Sequence, residues 1–336
     1  MSATSPGVLD SSNAGAYLTS RGWPSGDRTR ITELAGGVSG VVLLVEGPDF
    51  RVVVKQALSR LRVAARWEAA PARAQTEAAA LRVLAELTPD RLPTVLDDDP
   101  VAHTLVMTAA PDDWVTWKDE LLAGAPAERT ARIAAELGAL LGEWHRATRI
   151  DGGCIALPDV FRDLEPFEQL RLRPFHLTVA ERHPDVASRI LELVVELRTR
   201  RECLVDGDFS PKNVLVGDED WWVLDLEVAH LGAPVFDLAF LLCHLVLKAV
   251  HRTTEAAALH AAGDAFVGSY QQHAHRQQDS SDLAGHTACL LLARVDGLSP
   301  AGYLTGDEQQ TVRELALDQL RHPERTMDDL WSAAAG

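Results

Sequence analysis

The stretch from Cys203 to Glu227 constrains this chain more than any other. Cys203 to Val205 and Val214 to Val216 read as two short β-strands, with the polar loop Asp206-Gly-Asp208-Phe-Ser-Pro-Lys-Asn213 between them. Gly217-Asp-Glu-Asp220 reads as a hairpin turn. A third strand, Trp221 to Leu224, then delivers Asp225 at its end and Glu227 two residues on. Asp218, Glu219 and Asp220 belong to a solvated turn. Asp208, Asn213 and Asp225 lie among apolar strand residues instead, where a charge without a partner or a metal is costly.

The spacing points to a chemistry. Phosphoryl transfer asks little covalent work of a protein; it needs an accepting hydroxyl held in line and divalent metal on the phosphate oxygens. Mg²⁺ takes a few carboxylate or amide oxygens and leaves the rest of its shell to phosphate and water. A loop pinned between two strands presents Asp208 as base to the hydroxyl and Asn213 as a metal ligand. Asp225 supplies the principal metal carboxylate, and Glu227 reaches the same side. Between Glu202 and Asp237 there are nine acidic residues and one lysine, so acidity is concentrated where metal is expected.

A nucleotide must then be held by another part of the chain. Residues 31 to 55 contain two β-rich runs around Gly47-Pro-Asp, preceded by Gly36-Gly37-Val-Ser39-Gly40. Backbone N–H groups of such a loop approach phosphates without a Cβ in the way. The loop lacks the Gly-Lys-Ser/Thr ending of a P-loop. Lys55, closing a Val-Val-Val-Lys strand, suits a lysine that pairs with the α- and β-phosphates of ATP. That lysine needs a carboxylate. Pro71 reads as the first residue of a helix, Ala72 to Leu87, on which Glu77 shares the inward face of Leu81 and Leu84. Glu77 is expected to hold Lys55, with Glu68 and Glu86 as rivals. A hairpin follows, Pro93 to Leu96 and His103 to Met107. The chain leaves it through Thr108, Ala109, Ala110 and Pro111, and the backbone at Thr108 and Ala110 would bond the adenine edge.

This ordered set, with Leu140-Leu-Gly-Glu-Trp-His145 and Gly232-Ala-Pro234-Val-Phe-Asp237, resembles the aminoglycoside phosphotransferase and choline kinase family of small-molecule kinases. The resemblance covers roughly residues 30 to 300. It implies an α+β, two-lobed protein-kinase-like fold. Residues 1–108 would form an N-lobe, a small antiparallel sheet with one key helix; 109–113 a hinge; and 114–336 a larger, mostly α-helical C-lobe carrying the catalytic loop and acceptor site. It also implies ATP and Mg²⁺ as cofactors and a small-molecule hydroxyl acceptor: a sugar, a thiosugar, an aminoglycoside or a choline-like amine. Three segments resemble the methylthioribose kinase branch: Lys55 to Arg62 with Trp67, Arg171-Leu-Arg173-Pro174-Phe175, and Leu226 to Asp237. By that likeness Trp67 and Arg294 face the acceptor. The alternative for Arg294, which interrupts an apolar helical run, is a salt bridge to Asp296 or Asp237.

The chain also departs from the pattern. Asp206 stands where the family has histidine, a change that bears on loop geometry rather than catalysis. Arg294 follows Ala293, where the methylthioribose branch has an arginine pair. Ser210 replaces the lysine of protein kinases, and Lys212 either serves the phosphate or is solvated. A catalytically silent, nucleotide-binding regulator is the alternative function; joint retention of Lys55, Asp208, Asn213 and Asp225 favours the enzyme.

Composition agrees. A length of 336 residues, 46% of them hydrophobic, suits two lobes. A net charge of −17 argues against a nucleic-acid or anionic-membrane surface and would suit a cationic acceptor. Cys154, Cys203, Cys243 and Cys289 show no metal spacing and read as core thiols of a cytoplasmic protein, and Met1 to Asp10 lacks the features of a secretion signal. Phe236 to Val250 is apolar nearly all round but too short to span a bilayer, so it reads as a buried helix. Further helices are expected at 131–147, 185–200, 255–274, 285–296 and 307–321, the last opening on a Thr305/Glu308 capping box. Residues 1 to 14 read as disordered, and His145 as a packing or helix-end residue.

Overall fold

The computed structural model describes residues 7–24, 26, 28–34, 39–62 and 67–335. The chain divides into two compact units, Met1–Trp114 with Gly217–Val228 and Val115–Val216 with Ala229–Gly336.

The first unit is built on helix α1 (Ala14–Ser20), strands β1 (Arg30–Glu33), β2 (Gly40–Glu46) and β3 (Arg51–Ala57), helix α2 (Arg73–Ala85), and strands β4 (Val95–Asp99) and β5 (Thr104–Thr108). The strands form one antiparallel sheet in the order β1-β2-β3-β5-β4. β2 and β3 are rich in valine and leucine, which fit a pleated surface, and their side chains alternate between faces. Val41, Leu43, Val45, Val52 and Val54 accordingly share one buried cluster with Val106. Lys55, set between Val54 and Gln56 and opposite Val42 and Leu105, falls on the other face. There α2 packs against β3, β4 and β5 and buries Glu77, Ala80, Leu81 and Leu84.

The N-terminal segment departs from expectation. Leu9, Ala14, Tyr17 and Leu18 complete the valine cluster, and the Leu9 N–H donates to the buried Gln56 side chain at 2.8 Å. A sheet face this apolar has to be covered, and four well-placed side chains in a polar segment suffice. The segment is too short to show periodicity, so its sequence reads as disorder. The α2 helix also begins later than expected, with Ala72 as its N-cap and Pro71 outside it.

The second unit is mainly helical: α3 (Trp117–Ala123), α4 (Ala127–Ala147), α5 (Ala187–Thr199), α6 (Val235–His251), α7 (Ala256–Ala274), α8 (Ser280–Asp296), α9 (Gly306–Arg321) and α10 (Met327–Ala335). Helix α6 is buried from Val235 to Val250. Helices α4 and α7 approach closely because Gly138 and Gly142 carry no side chain. A Cβ there would lie 2.2 Å from the Phe266 carbonyl oxygen and 2.7 Å from that of Tyr270. The capping box forms: Thr305 N–H donates to Glu308 Oε2 at 2.8 Å and Glu308 N–H to Thr305 Oγ1 at 3.3 Å. A π-helix, Glu168–Leu177, was not foreseen, since its Pro174 argues against helix.

Two short ladders frame the polar loop of this unit. Cys203–Val205 pairs antiparallel with His230–Gly232, and Val115–Thr116 with Leu215 and Val216. Among the described residues no helix is long and apolar enough to cross a membrane.

Candidate active site

In the sheet unit, Lys55 sits where the sequence placed it. Its Nζ lies 2.9 Å from Glu77 Oε1 and 2.7 Å from Oε2, and it also donates to Asp225 Oδ1. Glu77 is therefore the partner. Glu68 instead forms a backbone bridge with Arg60, and Glu86 caps α2. Burial pushes the Glu77 carboxyl up to about 7 against the pull of Lys55, with Asp225 and Glu227 adding to the rise. Burial opposes the charge on Lys55 too, but Asp225, Glu77 and Glu227 together hold its pKa above the usual lysine value. Carboxylate oxygens of Glu77, Asp225 and Glu227 all lie within 4.8 Å of one another.

Asp225 has φ +66°, a left-handed conformation that is strained for a non-glycine residue and turns the chain directly after strand Trp221–Val223. Glu227 is held by Arg73, a residue the sequence reading passed over. Arg73 is fully buried, and all five of its N–H groups are used. Nε donates to Glu227 Oε2 at 3.0 Å, Nη1 to the Ala69 and Ala70 carbonyls at 3.2 and 3.0 Å, and Nη2 to the carbonyls of Leu58, at 2.9 Å, and Ser39. It lies on the first turn of α2, where a basic residue reads as ordinary helix composition. Only its complete burial marks it out.

The nucleotide-loop residues divide. Gly36 and Gly37 lie outside the described residues. Ser39 gives its carbonyl to Arg73. Gly40 opens β2 at a point where a Cβ would come 2.5 Å from the Gln56 carbonyl oxygen, so the close approach of β3 requires glycine there. Thr108 N–H donates to the Thr94 carbonyl at 3.0 Å, and the Ala110 carbonyl accepts from Arg51. Trp67 is buried in this unit.

In the helical unit, one amide donor and two cations surround the buried Asp208 carboxylate. Asn213 Nδ2 lies 2.8 Å and Lys212 Nζ 2.9 Å from Oδ2, and Arg171 Nη2 lies 2.7 Å from Oδ1. Asn213 Nδ2 also donates to the Asp208 carbonyl at 3.1 Å, so its amide nitrogen is spent within the loop and its oxygen is the atom offered to a cation. Lys212 is neither free in solvent nor buried: it is 46% exposed with its head on Asp208. Arg171 reaches in from the π-helix and donates through Nε to the Gly207 carbonyl at 2.8 Å. The sequence reading gave it no role of its own.

Asp206 keeps the loop in shape in place of the family's histidine. Its Oδ1 accepts the Asp208 N–H at 2.9 Å. Asp237 accepts the N–H groups of Asp206 and Gly207 at 2.7 and 2.8 Å. Gly207 itself has φ +78°.

Neither salt bridge expected for Arg294 forms. Asp296 is taken by His183 and Arg313, each at 2.8 Å, and Asp237 by the loop and His145. Arg294 Nη1 donates instead to Ser299 Oγ at 3.0 Å, and its buried Nε has no partner among the described residues. Burial lowers its pKa.

Each unit offers oxygens of the kind a hard divalent cation prefers: the sheet unit the carboxylates of Asp225 and Glu227, the helical unit the amide oxygen of Asn213. In the sheet unit three carboxylates face one lysine and one arginine, so an added cation improves the charge balance.

Residues 30–292 match the model of the phosphotransferase enzyme family (APH). The methylthioribose kinase of Bacillus cereus (strain G9842) is 24% identical over 248 residues, covering 66% of this chain and 62% of that one. The chain thus spans less than two thirds of the length of the curated relatives it matches. A choline/ethanolamine kinase family protein from Mesorhizobium loti superimposes with a TM-score of 0.55 at 16% identity, over 96% of this chain and 98% of that one. An amicoumacin kinase in complex with AMP-PNP and Ca²⁺ gives 0.58 at 16% identity, over 87% and 88%. These likenesses show the protein-kinase-like fold: a small antiparallel sheet with one key helix, and a larger helical part.

Proposed function

The chain belongs to the phosphotransferase enzyme family, and from that premise we propose that it transfers the γ-phosphate of ATP to a hydroxyl of a small molecule. The observation that carries the reading is the Asp208 loop. A buried carboxylate is oriented by Asn213, Lys212 and Arg171, on a turn fixed by Asp206 and Asp237. So held, Asp208 accepts the hydroxyl proton as the oxygen attacks phosphorus. Lys55, steadied by Glu77, pairs with the α- and β-phosphates. The loop containing Gly36, Gly37, Ser39 and Gly40 covers the phosphates, and the backbone at Thr108 and Ala110 receives adenine. Asp225, Glu227 and the Asn213 amide oxygen hold Mg²⁺, which when bound neutralises charge on the β- and γ-phosphate oxygens.

Sugars and thiosugars lead the acceptor classes, because the relatives matched along the sequence are methylthioribose kinases. Trp67 and Arg294 are the residues assigned to the acceptor. We place the reaction in the cytoplasm, where ATP is made and where the unpaired Cys154, Cys203, Cys243 and Cys289 stay reduced.

The test is ADP release with Mg-ATP and a panel of methylthioribose, simple pentoses, an aminoglycoside and choline. Acceptor-dependent release that disappears in Asp208→Asn supports transfer. Tight Mg-ATP binding with no release above the Asp208→Asn background for any acceptor favours the silent regulator.

A further inference from the structure

The helical unit has a cavity of about 320 Å³ that phosphotransfer does not use. It opens beside the C-terminus of α4, and its rim carries Arg146, Arg149, Arg201 and Arg276. Two of these are committed. Arg201 donates to the Leu197, Arg198 and Arg200 carbonyls at the end of α5, and Arg276 pairs with Glu202. The side chains of Arg146 and Arg149 make no ion pair or hydrogen bond among the described residues, with Asp151 or any other carboxylate. A cation near a helix C-terminus is favoured by the helix dipole, which accounts for Arg146. It does not account for Arg149, which lies beyond the helix, or for the concavity between them.

The lining is two-sided. Ile150, Pro234, Ala274 and the ring of Tyr270 give it an apolar wall beside the guanidinium groups. A cavity of this size with an apolar wall suits a small organic body, and guanidinium groups match the oxygens of a phosphate in pairs.

The floor leads to the Asp208 loop. Tyr270 OH is 3.1 Å from His145 Nδ1, and His145 Nε2 is 3.2 Å from Asp237 Oδ2. Asp237 only accepts, so Nε2 carries the proton and Nδ1 accepts from the tyrosine. The same Asp237 carboxylate holds the N–H groups of Asp206 and Gly207, next to Asp208. His145 is thus a buried link between Tyr270 and Asp237.

We propose that this cavity is a second binding site, for a phosphorylated small molecule, with its phosphate on Arg146 and Arg149 and its body against Tyr270. Occupancy is read by the Asp208 loop through the Tyr270–His145–Asp237 chain. The site is separate from the nucleotide and acceptor residues, and it stands whether or not the chain transfers phosphate.

The experiment is calorimetry on the full chain with glucose 6-phosphate as probe, with glucose and sodium sulfate as controls, and hydrogen exchange at the Asp206 and Gly207 amides. The expected result is binding of the phosphate ester, weakened about tenfold or more in Arg146→Ala/Arg149→Ala, with slower exchange at both amides. Tyr270→Phe should keep the binding and lose the effect on exchange. No binding overturns the site. So does binding that the double variant leaves unchanged, equal binding of glucose, or equal binding of sulfate, which would reduce the arginines to a general anion collector. Binding without any change in exchange overturns the link to the loop. None of these readouts needs turnover, so their failure is distinct from failure of the kinase reading.

Discussion

The two units solve the problem of buried polar chemistry in opposite ways. The helical unit places Asp208 and most of the groups that hold its carboxylate on one loop, Asp206 to Asn213, with Arg171 and Asp237 coming from elsewhere. The sheet unit gathers Ser39, Lys55, Arg73, Glu77, Asp225 and Glu227 from separate segments and binds them by charge. The same contrast holds for buried lysines. Lys55 is surrounded by carboxylates, whereas Lys248, fully buried in α6, has among the described residues only the His244 carbonyl at 3.2 Å and the Tyr303 ring at 5.7 Å. One buried amine is held charged by its carboxylate neighbours; burial draws the pKa of the other down to about 7.

The contiguous loop can be broken by one atom. Asp208→Asn preserves size but removes the charge proposed to accept the proton. Turnover should fall on the order of 10²–10⁴-fold, with Mg-ATP affinity almost unchanged. Near-normal turnover would remove Asp208 from the role of base.

The dispersed set should break through stability instead. Arg73→Met keeps the stem and removes five donors, leaving Glu227 and four carbonyls without their partner. A loss of about 3–5 kcal/mol in urea unfolding is expected. Arg73→Lys should recover only part of it, because an ammonium has three donors and cannot fork. Lys212→Met, at a half-exposed lysine of the other unit, should cost well under about 1 kcal/mol. Equal losses at Arg73 and Lys212 would erase the distinction between the two sites.

What could be read in the sequence follows the same division. The Asp208 loop was legible because its polar residues sit within eight positions, between apolar strands whose ends are clear. Lys55 and Glu77 were legible one at a time, from strand alternation and helix facing, and the structure joins them. Arg73 was not legible. Nothing in a helix of alanine, glutamate and arginine says which arginine will be buried, and its partners are mostly backbone carbonyls, which sequence does not mark. Arg171 was hidden by Pro174, which discouraged any helical reading of the segment that carries it. The order of residues 7 to 14 was missed because covering a sheet face takes few side chains and no period.

Glu77, the partner of Lys55, and the unpaired Lys248 make a finer contrast in pH dependence. Glu77 has its carboxyl raised from 4.5 to about 7, chiefly by burial. A raised carboxyl contributes stability that is present below 4.5 and lost as pH rises through about 7. Lys248 is lowered from 10.5 to about 7, by burial first and then by Lys118. A lowered amine contributes stability that is present above 10.5 and lost as pH falls through about 7. Unfolding free energies between pH 5 and 10 should therefore lose a falling component in Glu77→Gln and a rising one in Lys248→Met, each of about a few kcal/mol over its window. Slopes like those of the wild type in both variants would mean that neither group titrates as its surroundings dictate.

The smallest effect is expected at Arg294, which belongs to neither pattern. It is a partly buried cation with no carboxylate partner among the described residues, yet it keeps a hydrogen bond to Ser299 and lies 6.0 Å from the centre of the Phe175 ring. A guanidinium whose buried Nε is left unsatisfied gains little from the folded chain alone, which is why we propose an acceptor oxygen as its partner. Arg294→Ala should then raise the KM for the acceptor by about tenfold or less and leave Mg-ATP binding as it was, with Arg294→Lys falling between. A structural role predicts another pattern. The unfolding temperature would drop, kcat and KM of the folded fraction would stay put, and lysine would be no better than alanine. The split between KM and thermal stability decides whether the helical unit keeps one cation in reserve for its substrate, as we propose the sheet unit keeps its surplus carboxylates for a metal.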